Sequence, residues 1–188
     1  MIKQQIIIEG DREVYEYCFT VLTTTLIFYS GIFLIMCYYR CFFLPLVFTV
    51  FYLLLRSYMG GWHANNTWVC MFISLLLFTA VVNLILYPDI TMQGKVIFSG
   101  VSVLFNSVVL LYCGIQDHPN RRLTRNEKIV AKRKAMYLLA IISFLMVIFV
   151  FVGRVDIMFS MALACFAATT LLLLAKFRAK GNEMYETQ

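Results

Sequence analysis

The sequence has few charges. Asp, Glu, Lys and Arg make up 14% of the 188 residues, whereas 62% are hydrophobic. Soluble domains are nearer to about a quarter charged and about half apolar. The shortage of charge excludes a soluble globular enzyme and a disordered chain. It leaves an integral membrane protein that is small enough to form a single domain over 1–188.

The cysteines lack the spacing of a disulfide framework or a metal motif. Only Cys70 has polar neighbours, and the other five lie in or beside apolar runs, where cysteine behaves as a small hydrophobe: Cys18, Cys37, Cys41, Cys113 and Cys165. No C-x-x-C or paired-histidine spacing connects the four potential zinc ligands His63, Cys70, Cys113 and His118. We therefore expect no metal and no other cofactor, and we exclude a disulfide-stapled secreted module.

Long runs without a charged residue divide the chain into six hydrophobic segments. A helix needs about 20 residues to cross a hydrocarbon core of about 30 Å, and runs of this length are too long for barrel strands. The sequence predicts an all-α integral membrane protein with six transmembrane helices in one bundle, over about 18–39, 42–59, 67–87, 95–115, 135–153 and 157–176. The second span contains Arg56, whose simplest interpretation is a cation that snorkels to the interface.

Three segments lie outside these predicted spans. Residues 1–17 mix isoleucines with acidic side chains, which is typical of an amphipathic segment on the membrane surface, with a short loop as the alternative. We expect 116–134 to be a basic cytoplasmic loop and 177–188 a polar tail. No cleavable signal peptide is predicted, because the first apolar run is too long for such a signal.

The positive charges are distributed unevenly between the two sides of the predicted bundle. With six spans, 13 of the 16 Lys and Arg residues fall on the side of the termini and the even-numbered loops. The other side holds Arg40, Lys95 and Arg154. Since cytoplasmic loops carry the excess of Lys and Arg, this bias predicts that both termini are cytoplasmic.

The segment between the second and third spans has an unusual composition. It is nearly uncharged, yet it contains Gly60 and Gly61, which can end a helix, and His63. Asn65, Asn66 or Thr67 can cap the start of the next helix, which places Cys70 in the first turn of that helix or just beyond it. The positive end of the helix dipole favours a thiolate there, and a neighbouring imidazole can accept the thiol proton.

Each residue of this segment also has an ordinary interpretation. Taken singly, His63 is a loop histidine, Cys70 an inert thiol and Gly60-Gly61 a simple helix break. In a continuous helix, seven residues rise about 10.5 Å, which is too far for a hydrogen bond. His63 can therefore reach Cys70 only from a turn that folds back over the helix start. The clustering of these residues is what favours a nucleophilic cysteine–histidine pair.

The residues of this segment match a known family. The pattern Arg56-x-x-x-Gly60-Gly61-x-His63-Ala64, followed by Cys70, resembles the AgrB family, the accessory gene regulator B proteins of Gram-positive bacteria. The run Asp117-His118-Pro119-Asn120, followed by basic residues, resembles the loop after the fourth helix in that family. The length and the six predicted spans fit the family as well, so the resemblance covers essentially the whole chain.

The resemblance implies a membrane-embedded cysteine endopeptidase that processes an AgrD-type propeptide into a cyclic autoinducing peptide for quorum sensing. It implies Cys70 as nucleophile and His63 as general base and acid, with Arg56, Gly60 and Gly61 in support. The segment 117–134, which is mostly basic, is expected to support the site or bind substrate through Asp117, Arg121, Arg122 and Arg125. Asp117, Asn65 and Asn66 are alternatives for a group that orients His63.

These expectations include a location and partners. We expect a multi-pass protein of the bacterial plasma membrane with its active segment at the cytoplasmic face. The expected partners are an AgrD-like propeptide and membrane lipids, with a homodimer left open and no nucleic acid. The alternative function is a non-catalytic membrane peptide transporter or binding subunit, in which the same segment forms a re-entrant gate. It is disfavoured because the sequence contains no inverted repeat.

Overall fold

The computed structural model describes residues 12–59, 67–87, 89–113 and 124–186. These described residues form six helices and no strand, in the order α1 (Arg12–Tyr39), α2 (Phe43–Met59), α3 (Thr67–Leu86), α4 (Met92–Cys113), α5 (Arg125–Phe151) and α6 (Val155–Glu186). The predicted all-helical fold class is confirmed for this part of the chain. Among the described helices, α1, α3, α4, α5 and α6 are long and apolar enough to cross a membrane.

Helix α2 is apolar but shorter than the other five. Its 17 residues rise about 25 Å, which is at the lower limit for a span. The structure therefore supports five spans by length and composition, and α2 as a sixth span remains a prediction. The predicted cytoplasmic location of both termini also remains a prediction, because it depends on the same count.

One compact unit consists of α1 and residues 67–80 of α3. A Cβ atom added to Gly31 of α1 would lie 3.0 Å from Cδ2 of Leu75 in α3. A small residue at this point therefore allows the two helices to approach closely, as is common between membrane helices. Most of the large apolar side chains of α1 are exposed, which is expected of a surface that faces lipid.

The second compact unit consists of α2, residues 81–86 of α3, α4, α5 and α6. Helix α6 packs against α2, α4 and α5, and most of its apolar part, Val155–Phe177, is buried. Its buried face is rich in small side chains, which let the neighbouring helix backbones come close: Ser160, Ala162, Ala164, Ala167, Ala168 and Thr169. The core of this unit therefore lies around α6.

Two polar contacts join α4 to α6 within this unit. Near the helix starts, Lys95 Nζ lies 2.6 Å from Asp156 Oδ1. Deeper in the bundle, the fully buried Asn106 donates from Nδ2 to the Cys165 carbonyl oxygen at 3.3 Å. A charge pair and an interhelical hydrogen bond thus fix two points along the same interface.

Three helices extend well beyond the predicted spans, and the first is α1, which begins at Arg12, within the segment 1–17. Helix α5 begins at Arg125, within the segment expected to be a loop, because Thr124 and Glu127 form a reciprocal capping box. Helix α6 continues to Glu186, through the segment expected to be a polar tail. The predicted spans were limited to charge-free runs, whereas a helix can continue into water on good helix-forming residues such as Lys, Arg and Ala.

Candidate functional site

Cys70 lies at the start of α3. The helix begins at Thr67, so Cys70 is its fourth residue and completes the first turn. Its side chain is a partly buried thiol. The first backbone N–H groups of a helix have no acceptor within the helix, and the helix dipole is positive at this end. Cys70 therefore lies in the turn whose backbone N–H groups have no acceptor within the helix.

The other cysteines occupy different positions. Cys18 and Cys37 are exposed within α1, Cys41 lies between α1 and α2, and Cys113 is the last residue of α4. Cys165 is fully buried in the middle of α6. Cys70 is thus the one cysteine of this chain in the first turn of a helix.

Most of the other predicted site residues lie outside the described residues. This applies to Gly60, Gly61 and His63, and in the basic segment to Asp117, Arg121 and Arg122. The pairing of Cys70 with His63 therefore remains a prediction. Arg125 is the first residue of α5, and Arg56 lies in the last turn of α2, in the unit that does not contain Cys70.

Arg56 is fixed by an aromatic neighbour on its own helix. Its Nη1 donates a hydrogen bond to the Tyr52 hydroxyl oxygen at 3.0 Å, and its Cζ lies 5.8 Å from the centre of the Tyr52 ring. The Tyr52 ring in turn stacks on Phe48, with 5.5 Å between ring centres and 10° between ring planes. Tyr52 and Phe48 are both buried. The guanidinium is thus held over the buried face of α2.

The basic segment is partly helical. Lys128, Lys132, Arg133 and Lys134 lie in the first three turns of α5, beyond the capping box at Thr124. Arg133 and Lys134 are exposed, and Lys128 and Lys132 are partly buried. Lys132 Nζ donates to the carbonyl oxygen of Leu111 in the last turn of α4, at 2.8 Å. One of the predicted topology-determining lysines therefore also caps a helix end.

A metal site receives no support from the part of the chain that the structure describes. In residues 12–59, 67–87, 89–113 and 124–186, no group of three or more His, Cys, Asp or Glu residues could hold a metal ion. His63 and His118, the two histidine members of the potential zinc set, lie outside those residues.

Two contacts in this region were not predicted from the sequence, those of Tyr52 with Arg56 and of Lys132 with Leu111. Tyr52 precedes Arg56 by four residues, which is the spacing of neighbours on one helix face, so its contact could have been inferred from the sequence. The contact of Lys132 with Leu111 joins residues 21 positions apart on two helices. No local pattern predicts such a contact, because it depends on how α4 and α5 pack.

The fold defines the class of protein. Several long apolar helices, with only helices among the described residues, are the architecture of a multi-pass membrane protein. The family model named accessory gene regulator B matches residues 1–174, and the chain belongs to the AgrB family. Neither the curated proteins nor the solved structures that were compared contain a match to this chain.

Family membership confirms the resemblance seen in the sequence and defines the general function. Proteins of this family take part in peptide processing in accessory gene regulator quorum sensing, and their substrate is a propeptide of that system. The described residues show in addition that Cys70 lies in the first turn of α3 and that the Arg56 guanidinium is hydrogen-bonded to Tyr52.

Proposed function

We propose that this protein is a membrane-embedded cysteine endopeptidase that converts an AgrD-type propeptide into a cyclic autoinducing peptide. The observation that carries the proposal is the position of Cys70 in the first turn of α3, directly after the Gly60-Gly61-x-His63 segment, in a chain of the AgrB family. A thiol at a helix start with a base nearby in sequence has the two features of an activated nucleophile.

The first chemical step cleaves the substrate. His63 accepts the proton of the Cys70 thiol, and the thiolate attacks the carbonyl carbon at the C-terminal side of the future ring. The C–N bond then breaks, and His63 donates the proton to the leaving amine. The C-terminal fragment departs, and the rest of the substrate stays on Cys70 as an acyl-thioester.

The second step closes the ring. A Cys thiol or Ser hydroxyl within the same substrate attacks the thioester carbonyl, and the bond to Cys70 breaks. The proton of the attacking group passes through His63 to the Cys70 sulfur. The product is a thiolactone or a lactone, and no water is consumed. Exclusion of water by an apolar cleft at the interface favours this ring closure over hydrolysis.

The energetics require that the products be removed. Exchange of a thioester for a thiolactone conserves the type of bond, so that step is close to balanced. Formation of a thioester from a peptide bond is uphill. Removal of the C-terminal fragment or of the cyclic product therefore has to draw the reaction forward.

The proposed orientation places this chemistry where the substrate is made. The excess of Lys and Arg favours a cytoplasmic location for both termini, the Gly60-Gly61 segment and the basic segment around Arg125. We infer that α2 serves as the sixth span, because it keeps Lys3 and Arg12 of the N-terminal segment on the same side as the basic segment 121–134. A propeptide synthesised in the cytoplasm then meets Cys70 without crossing the membrane.

The basic segment is proposed to bind the acidic part of the propeptide. Residues 117–134 contain seven Lys or Arg against two acidic residues. The same charges also attract anionic lipid, by about 1 kcal/mol per basic residue near the surface, and the two roles are compatible. Asp117, Asn65 and Asn66 are proposed as alternatives for the group that orients His63.

Co-expression with the propeptide tests the proposed function. The partner gene is expected beside this one and to encode a peptide of about 40–50 residues with an internal Cys or Ser, longer than one membrane-spanning helix. Mass spectrometry of the products should find a cyclic peptide that is one water lighter than the linear fragment. A linear, uncleaved propeptide would favour the alternative of a transporter or binding subunit.

A further inference from the structure

Arg56 is a partly buried cation with an unusual set of contacts. Within the described residues, its guanidinium contacts Tyr52, and no carboxylate lies within ion-pair distance. A guanidinium has five N–H donors in a planar fork that matches a carboxylate. One donor atom is used by the Tyr52 hydroxyl, so the side chain retains donors for a ligand.

The neighbours of the side chain separate Arg56 from an ordinary interfacial cation. Arg56 lies in the last turn of α2, and its guanidinium lies one turn back, against Tyr52, because helical side chains tilt toward the N-terminus of their helix. Moreover, Tyr52 belongs to the buried face of α2, whereas the lipid-facing side of the helix bears exposed residues such as Leu54 and Tyr58.

Tyr52 is itself held in place. It is 8% exposed, and its ring is parallel to the ring of Phe48 one turn earlier. The three side chains follow one another at intervals of four residues and form a continuous stack on one face of α2. A hydroxyl on a packed ring gives the guanidinium a fixed acceptor and therefore a fixed orientation.

We propose that Arg56 binds a carboxylate of the substrate peptide and that Tyr52 is the positioning residue for this contact. The proposal rests on the proposed function, because it takes the propeptide as the ligand. A partly buried cation of a membrane protein, oriented and without an acidic partner among the described residues, is the arrangement that an anionic ligand completes. A peptide is favoured over a lipid headgroup because the guanidinium lies over the buried face of the helix.

The test is a binding measurement with two peptides. The first probe is the fluorescently labelled propeptide, and the second is the same peptide with Asn and Gln in place of Asp and Glu and with an amidated C-terminus. Binding is measured to the full chain in phosphatidylcholine vesicles, in a Cys70→Ala background. Because no cleavage is needed, the result is independent of whether Cys70 is the nucleophile, which a separate cleavage assay decides.

Tyr52→Phe should raise the Kd of the acidic peptide about tenfold, because one hydrogen bond to a charged group is lost while the ring stack remains. The Kd of the neutral peptide should not change. Arg56→Gln should weaken binding of the acidic peptide at least as much, and Arg56→Lys should restore only part of it, because Lys cannot form the planar fork. Tyr58→Phe is the matched control on the exposed side of α2, and should have no effect.

Three results would overturn the proposal. The first is an unchanged Kd of the acidic peptide with Tyr52→Phe. The second is an equal loss for both peptides, which would indicate a purely structural role. The third is an effect that appears only when phosphatidylglycerol is added and is the same for both peptides, which would assign Arg56 to a lipid phosphate.

Discussion

Lys132 of α5 donates a hydrogen bond from Nζ to the carbonyl oxygen of Leu111 in the last turn of α4, at 2.8 Å. The last carbonyl groups of a helix have no donor within the helix, and the dipole is negative at this end. The ammonium group therefore satisfies an acceptor and complements the dipole. The contact also ties α4 to α5 beside the connection that carries Asp117, Arg121 and Arg122 in sequence.

The contact predicts that Lys132 differs in function from its basic neighbours. Lys132→Met keeps the aliphatic stem but removes the donor, and should lower the free energy of unfolding by about 1 kcal/mol. Lys134→Met is the matched control, because Lys134 is exposed on the same helix. The measurement is thermal unfolding in detergent for both variants. Equal midpoints for the two variants would show that the contact does not stabilise the protein.

The remaining basic residues should act on substrate binding. Replacement of Arg121, Arg122 and Arg125 together by Gln should raise the apparent KM for the propeptide in reconstituted vesicles and leave kcat nearly unchanged, as expected when binding is lost equally from substrate and transition state. The effect should weaken as salt is added. A substrate with Gln in place of its acidic residues should respond little to the triple change.

Two controls accompany this prediction. Arg154→Gln removes one exposed charge from the opposite predicted side and should leave KM unchanged. The insertion of the triple variant must be verified, because loss of positive charge can invert a pair of helices. Substrate capture fails as an explanation if the correctly inserted variant keeps the wild-type KM at low salt, or if kcat alone collapses.

The proposed orientation predicts which positions react with an impermeant thiol reagent. In a background without the native cysteines, Arg125→Cys should be protected in intact cells and become reactive after the membrane is permeabilised. Arg154→Cys, predicted on the other side, is the matched control and should be labelled from outside. The reverse pattern would place the Gly60-Gly61 segment on the wrong side for a cytoplasmic propeptide.

The cysteines should separate into one essential residue and five dispensable ones. Cys70→Ala and His63→Ala should each abolish cleavage without loss of expression, because each removes one member of the proposed pair. Single Ala replacements should preserve cleavage at the other five positions, which are Cys18, Cys37, Cys41, Cys113 and Cys165. The measurement is product yield relative to the amount of membrane-inserted protein. Retained activity in the His63→Ala variant would remove the histidine from the mechanism.

The order of the helices could be predicted from the sequence, but some of their ends could not. Charge-free runs indicate helices because lipid excludes both charge and unpaired backbone groups. The same criterion starts the fifth helix at 135, after Lys134, whereas the capping box at Thr124 and Glu127 starts it at Arg125. Helix α5 extends beyond its apolar part because local hydrogen bonds, and not only burial, determine where a helix begins.

The candidate site shows a similar division. The position of Cys70 near a helix start follows from local rules, since Gly60-Gly61 can end one helix and a capping residue can begin the next. The role of Tyr52 also depends on a local spacing. The partner of Lys132 could not be inferred from local rules, because two residues far apart in sequence meet only when α4 and α5 pack.

The central claim is that Cys70 carries the acyl intermediate, and the most direct measurement locates that bond. A propeptide whose internal Cys or Ser is replaced by Ala cannot close its ring, so the thioester should accumulate on the enzyme. Mass spectrometry of the digested protein should find the N-terminal part of the substrate on the peptide that contains Cys70, and hydroxylamine should remove it. An adduct on another residue, or cleavage of this substrate by the Cys70→Ala variant at the wild-type rate, would contradict the account.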